Sequence, residues 1–203
     1  RLEELKNTYG PKSAEYLSLA RQYIYEEAED EMTEEHNSKH YEAGVYIEGG
    51  KNVERLYQRH CCIEISFNCL SNCRYCLRSN YDRFTLTEDQ MNADVNFLQS
   101  IDAEEVLLTG GDPFLNLKRL RIFTDKIVDN VPTMKIIRIA TRVFTQDPKV
   151  LSDDLITFLQ KLNERVRVEV ATQINSAVEL DCIEVQNAFK RVRALGIPVY
   201  SQN

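Results

Sequence analysis

The residues of this chain best equipped for chemistry lie in one short stretch, Cys69-Leu70-Ser71-Asn72-Cys73-Arg74-Tyr75-Cys76. Here three thiols are spaced CxxxCxxC directly behind the apolar run from Cys61 to Phe67. Three thiolates so close together can converge on one small inorganic group, and no fourth cysteine follows nearby to complete a cage. A [4Fe–4S] cluster ordinarily takes four cysteine thiolates, one per iron. A three-cysteine loop therefore leaves one iron open to a ligand that is not protein, and an open iron is a site for reaction. The alternative is structural zinc, which wants four protein ligands and accepts a Cys3His set. His60 is the candidate fourth ligand, but the predicted strand between it and Cys69 carries it toward the opposite end from the loop.

A second group follows in Thr109-Gly110-Gly111-Asp112-Pro113. Paired glycines let backbone approach a ligand closely, and an aspartate accepts hydrogen bonds from an ammonium group. Such a turn also occurs as ordinary punctuation between elements. Its place after a predicted strand, downstream of the cysteine loop, is what recommends it.

The elements that must position these groups can be read from hydrophobic periodicity. Runs rich in valine and isoleucine predict strands over Cys61 to Phe67, Glu105 to Thr109, Lys135 to Ala140, Arg165 to Ala171 and Ile197 to Ser201. Four helical patterns separate them. The first opens on a Thr87/Gln90 capping box, the second runs from about Leu117 to Val128, and the third follows a Ser152 cap. The fourth starts near Asp181, with Glu184 in the capping-box position, and stops at Gly196. Strict alternation of this kind predicts an α/β fold with parallel strands and right-handed crossovers. The loops after the strands then share one edge, where ligand sites of α/β folds gather. Cys69, Cys73 and Cys76, the Gly110-Gly111-Asp112 turn, Thr141 with Arg142, Gln173 and Gln202 all fall on that rim.

Upstream, Ser13 precedes an amphipathic helical pattern at Tyr16, Leu19, Ala20 and Tyr23. Residues 26–35 hold seven acidic side chains in ten, the mark of a solvated helix face or connector. Gly44 and Gly49-Gly50 flank Val45-Tyr46-Ile47, a predicted short strand and turn. The expected organisation is a helical N-terminal extension over 1–55 and an α/β domain over 56–203.

The motifs resemble the radical S-adenosylmethionine (SAM) enzymes. Their signature is CxxxCxxC with an aromatic, here Tyr75, before the third cysteine. More narrowly, the order is similar to the lysine 2,3-aminomutase group: Cys76-Leu77-Arg78, Val106-Leu107-Leu108-Thr109-Gly110-Gly111-Asp112, Arg138-Ile139-Ala140-Thr141-Arg142 and Gly196-Ile197-Pro198-Val199-Tyr200-Ser201-Gln202-Asn203. The match runs from about Cys61 to the last residue and leaves the first 55 or so outside it. The resemblance implies a partial (β/α)6 barrel whose last strand would lie past Asn203. It implies a [4Fe–4S] cluster on Cys69, Cys73 and Cys76, with SAM at the open iron. Gly110, Gly111 and Asp112 would lie along its methionine amino group and Tyr75 beside its adenine, with Thr141, Arg142, Gln173 and Gln202 as further contacts. Arg78 matches an arginine thought to hold the substrate carboxylate, work that suits a planar guanidinium fork.

The implied reaction passes one electron to the SAM sulfonium, breaks the C5′–S bond and uses the resulting radical to take hydrogen from a substrate. In the aminomutases that substrate is an amino acid held by pyridoxal phosphate (PLP), and its amino group moves from C2 to C3. The PLP lysine of the group would lie past the matched region, and the stretch aligned with its phosphate-binding arginine reads Tyr57-Gln58-Arg59-His60, out of register. A PLP-independent radical SAM enzyme therefore stays open beside the aminomutase. The expected partners are a small-molecule substrate and an electron donor such as flavodoxin or ferredoxin, with a homo-oligomer compatible.

Composition sets the limits. The chain has 203 residues, 43% hydrophobic and 28% charged, enough apolar material for a sizeable core. A net charge of −7 argues against binding along a nucleic-acid backbone. No run of about 18 apolar residues and no signal-peptide core are found, so no membrane partner is expected and a cytoplasmic location is. Cys61, Cys62 and Cys182, remote from the loop, are expected to be core thiols, since disulfide frameworks belong to smaller secreted domains.

Overall fold

Valine, isoleucine and leucine alternate with polar or small residues along the central strands, and the fold puts the two faces to different uses. The computed structural model describes residues 1–25, 53–76 and 85–202. The acidic run 26–35, the expected strand and turn at 44–50, Arg78 and Asn203 lie outside the described residues. One sheet of six strands runs in sequence order: β1 (Val53–Tyr57), β2 (His60–Ser66), β3 (Glu105–Gly110), β4 (Ile136–Ala140), β5 (Arg167–Thr172) and β6 (Val199–Ser201). β2 through β6 are parallel, as the alternation predicts, and form the partial barrel. β1 is antiparallel to β2 and was missed, because its polar Glu54 and Arg55 hide a five-residue strand.

On one face Ile63, Ile65, Val106, Leu108, Ile137, Ile139, Val168 and Val170 are fully buried. They pack with α3 (Glu88–Ser100), α4 (Leu117–Asn130), the short α5 (Val143–Gln146), α6 (Asp153–Asn163) and α7 (Ile183–Arg193), whose inward side chains include Leu98, Phe123, Phe144, Leu159 and Val192. The other face carries Glu64, Thr109, Arg138, Ala140, Glu169 and Ala171, paired across the ladder as Glu64 with Thr109, Arg138 with Glu169 and Ala140 with Ala171. Arg138 joins Glu169 at 2.9 Å and also binds Glu105, with its guanidinium over the Tyr200 ring. That ionic tier closes the lower part of the inner face. Near the C-terminal ends, small Ala140 and Ala171 leave room above it.

Local signals start the helices as expected at Thr87 and Ser152 and fail at Asp181. Thr87 and Gln90 form the reciprocal capping box of α3, and Ser152 accepts from Leu155 N at 3.3 Å to start α6. Asn116 caps α4. The capping box expected at Asp181 and Glu184 does not form: α7 starts at Ile183 behind Cys182, whose thiol instead donates to the Glu184 carboxylate at 2.8 Å. Cys182 is accordingly half-buried and not a core thiol, whereas Cys61 and Cys62 are buried in β2. α7 ends at Arg193, three residues before Gly196. Ser13 caps α2 (Ala14–Ala20), and a further short helix, α1 (Leu2–Tyr9), precedes it. Among the described residues no helix is long and apolar enough to cross a membrane.

Leu108 is wholly enclosed between the sheet and its helices. Leu108→Ala should therefore lower unfolding free energy by about 2–5 kcal/mol in urea melts, while a loss under about 1 kcal/mol would mean the core closes over the void.

Candidate cluster and SAM site

The rim is built by making two loops touch. β2 leads through Phe67 and Asn68 into the cysteine loop, and β3 ends in Gly110-Gly111-Asp112 beside it. Gly111 N–H donates to the Ser66 carbonyl and Asp112 N–H to that of Asn68 at 2.6 Å, extending the pairing past the strand ends. Gly110 sits at φ +107°, and a Cβ there would run into the Ser66 carbonyl oxygen. A Cβ on Gly111 would stand 2.6 Å from Asn68 N and Phe67 C, closer than real atoms approach. The glycines thus serve first to let one backbone lie against the other.

Asp112 is the knot of the rim. Its side chain is 4% exposed and caps the turn by accepting from Phe114 N–H at 3.1 Å. It also accepts from the Thr141 hydroxyl at 2.7 Å and from Arg142 N–H at 2.7 Å, tying the end of β3 to the end of β4. Burial pushes its carboxyl above the usual range, opposed by those donors. From the sequence, a ligand ammonium is the partner expected for this carboxylate. In the structure its hydrogen bonds go to protein, although the residue still lines the cleft.

That cleft has a volume of about 430 Å³ and lies at the C-terminal ends of the strands. Cys69, Cys73, Tyr75 and Cys76 form one wall; Gly110, Gly111 and Asp112 with Thr141 and Arg142 form the next; Gln173 and Gln202 close the far side. Leu107, Thr109, Ala140 and Ala171 make the floor. Every rim residue expected from the sequence lines this one cleft, with Arg78 outside the described residues. Thr172 was not expected there. Its hydroxyl is buried and lies on the side of β5 that carries Val168 and Val170, whereas Ala171 and Gln173 face the cleft.

Cys69 is exposed as a residue, with its sulfur toward the cleft. Desolvation first, then the charges of Asp112, Cys76 and Cys73, push its thiol up to about 11. Metal binding is what drives the proton off such a thiol, since the ligand is the thiolate. The donor set therefore fits an iron–sulfur cluster: soft sulfur ligands, three in number, on one wall beside open volume. Among the described residues no three His, Cys, Asp or Glu side chains already converge at metal-binding distance, so the loop sets the ligands side by side without closing a cage. His60 heads β2 at the opposite edge, 4.0 Å from Glu105 and remote from the loop.

The N-terminal segment supplies residues that no motif announced. Gln22 and Arg21 carbonyls accept from Arg74, N–H at 2.9 Å and Nη1 at 3.0 Å, and so grip the cysteine loop. Gln146 Nε2 donates to Ser71 Oγ at 2.9 Å on its other side. Arg142 joins these parts, bonding Tyr75 OH, Gln22 Oε1 at 2.9 Å and Glu179 Oε1 at 2.8 Å. Its guanidinium stands over the rings of Tyr23 and Tyr75. Burial opposes its charge, but Tyr23, Cys73 and Tyr75 outweigh this and hold its pKa above the ordinary value. Only the Ser176-to-Glu179 capping box, which places Glu179, was written locally in the sequence.

With the geometry in place, comparison with known proteins is decisive on kinship. Residues 60–177 match the model of the 4Fe-4S single cluster domain, and the chain belongs to that family. It is also similar to L-lysine 2,3-aminomutase of Buchnera aphidicola, 27% identical over 152 residues that make up 73% of this chain and 44% of the relative. The Haemophilus influenzae enzyme of the same name is 25% identical over 75% of the chain and 45% of the relative, and that of Bacillus subtilis 26% over 68% and 29%. The chain thus spans less than half the length of these relatives. Within its family it falls in the radical SAM group that resembles lysine 2,3-aminomutase.

Two substitutions probe this rim. Gly111→Ala should leave the circular dichroism of the fold intact while reducing the iron retained after anaerobic reconstitution; undiminished iron would show that the two loops can part without harm. Asp112→Ala strips the acceptor from at least three donors, and at about 1–3 kcal/mol for each buried orphan its thermal midpoint should fall well below that of wild type. An unchanged midpoint would show that the knot is dispensable.

Proposed function

We propose that this chain carries the cluster- and SAM-binding half of a radical SAM enzyme, acting on an amino acid in the manner of a 2,3-aminomutase. The observation that carries the reading is the meeting of Cys69, Cys73 and Cys76 with the Gly110-Gly111-Asp112 turn in one rim cleft. A cluster with one open iron supplies, together with SAM, one-electron reduction of the sulfonium and a carbon radical able to abstract hydrogen. The chain's own work is to bind and orient. Cys69, Cys73 and Cys76 would ligate three irons, and the volume between them and the glycine turn would admit the methionine end of SAM. The backbone of Gly110 and Gly111 offers polar contacts there. Gln173 and Gln202 would face the rest of the cofactor. Arg78 would hold a substrate carboxylate. An electron donor of the flavodoxin or ferredoxin class and a reducing, cytoplasmic setting suit such a cluster.

A second reading, radical SAM chemistry without PLP, is favoured by one observation. Arg59, the arginine nearest to the aligned phosphate-binding stretch, sits in the turn between β1 and β2 at the edge opposite the cleft. There it donates to the Asp102 carbonyl at 2.6 Å and pairs with Glu104.

Anaerobic reconstitution tests the proposal. Wild type should bind about four irons per chain and cleave SAM when reduced with dithionite. Cys73→Ala should lose both together. Full activity in that variant, or zinc in place of iron in oxygen-protected protein, would overturn the assignment.

A further inference from the structure

Arg142 makes one contact that a SAM ligand would not need: its Nη1 donates to the sulfur of Cys73 at 3.1 Å. Hydrogen bonds to cluster sulfurs and nearby charge are among the levers that set an iron–sulfur reduction potential. The arginine is well placed to act as such a lever. Its side chain is 12% exposed, so water screens it little, and Glu179, its counter-ion, is 1% exposed. Glu179 is itself fixed by the N–H groups of Asn175 at 2.8 Å and Ser176 at 2.9 Å. Gln146 Nε2 approaches the same sulfur at 3.8 Å, and Arg142 Nε–H, buried without a partner, leaves one more donor uncommitted.

We infer that Arg142 and Glu179 form a charge pair that sets the reduction potential of the cluster through Cys73, the arginine raising it and the glutamate limiting the rise. The inference rests on the cluster reading given above. Arg142 acts here as a positioning residue: it holds the sulfur and biases electron uptake, while the transferred electron comes from an external one-electron donor. A cation donating to Cys73 Sγ stabilises the reduced cluster, which carries one more negative charge. Removing Glu179 leaves that cation uncompensated and pushes the potential further up. The two substitutions therefore act in opposite directions, which a merely structural role would not produce.

The test is the midpoint potential of the reconstituted full chain, followed spectroscopically without SAM, alongside iron content. Arg142→Gln should move the potential negative, so that the reduced-to-oxidised ratio at the wild-type midpoint falls about tenfold, equivalent to about 59 mV for one electron. Glu179→Gln, which keeps the shape of the side chain, should move it positive by a smaller amount. Arg142→Lys, which keeps the charge but loses the fork, should fall between wild type and Arg142→Gln. If Arg142→Gln retains no iron, Glu179→Gln and Arg142→Lys decide: a positive shift in the first and a negative one in the second support the pair. Unchanged potentials, or shifts of one sign in Arg142→Gln and Glu179→Gln with iron retained, overturn it while leaving the cluster reading intact. Failure of wild type to assemble a cluster removes both.

Discussion

The structure depends on two backbones being allowed to touch. The strand that feeds the cysteine loop and the strand that ends in the glycine turn are neighbours, and neighbouring strands ordinarily diverge once their ladder ends. Here Ser66 and Asn68 accept from Gly111 and Asp112 beyond the ladder, an approach that the missing Cβ atoms of Gly110 and Gly111 permit. This contact fixes the height of Cys69 relative to the floor of the cleft. It also brings Asp112 to where it can reach across to Thr141 and Arg142. Without it the cysteine loop would be held to its neighbours only by side-chain bonds such as those of Arg142 and Gln146 and by the grip of the N-terminal segment on Arg74.

The inner face of the sheet prepares the space those loops enclose. Outer positions carry branched aliphatics pressed against helices, while inner positions change from an ionic tier at Arg138 and Glu169 to alanines near the rim. A buried ion pair is weak evidence for added stability, since desolvation offsets its attraction. Its effect here is geometric, because a charged tier cannot collapse onto the alanines above it. The cavity is kept by polarity below and small side chains above.

Much of this could be read before the fold was known. The five parallel strands announced themselves through β-branched residues spaced by capped helices, and the rim followed because loops after parallel strands share an edge. What escaped did so for physical reasons. β1 is short, lies at the sheet edge and mixes charge with apolar residues, so periodicity gave it no voice. Asp181 and Glu184 have capping-box spacing, yet a thiol between them offered the glutamate a nearer donor. Gln22 and Tyr23 enter the site through contacts more than a hundred residues long, which no local pattern encodes. Asp112 stands on the rim among the donors of Phe114, Thr141 and Arg142, and spacing shows where a carboxylate stands but not which donors meet it.

The grip of Gln22 on Glu179 spans 157 positions of sequence. A ribosome delivers residues one after another, and long-range pairings cannot close until both ends exist. The segment around Gln22 emerges first, the cysteines a good deal later, and the glutamate that braces Arg142 beside them later still. Through that interval the thiols stand beside an unfinished wall, which closes only once residue 179 has been made.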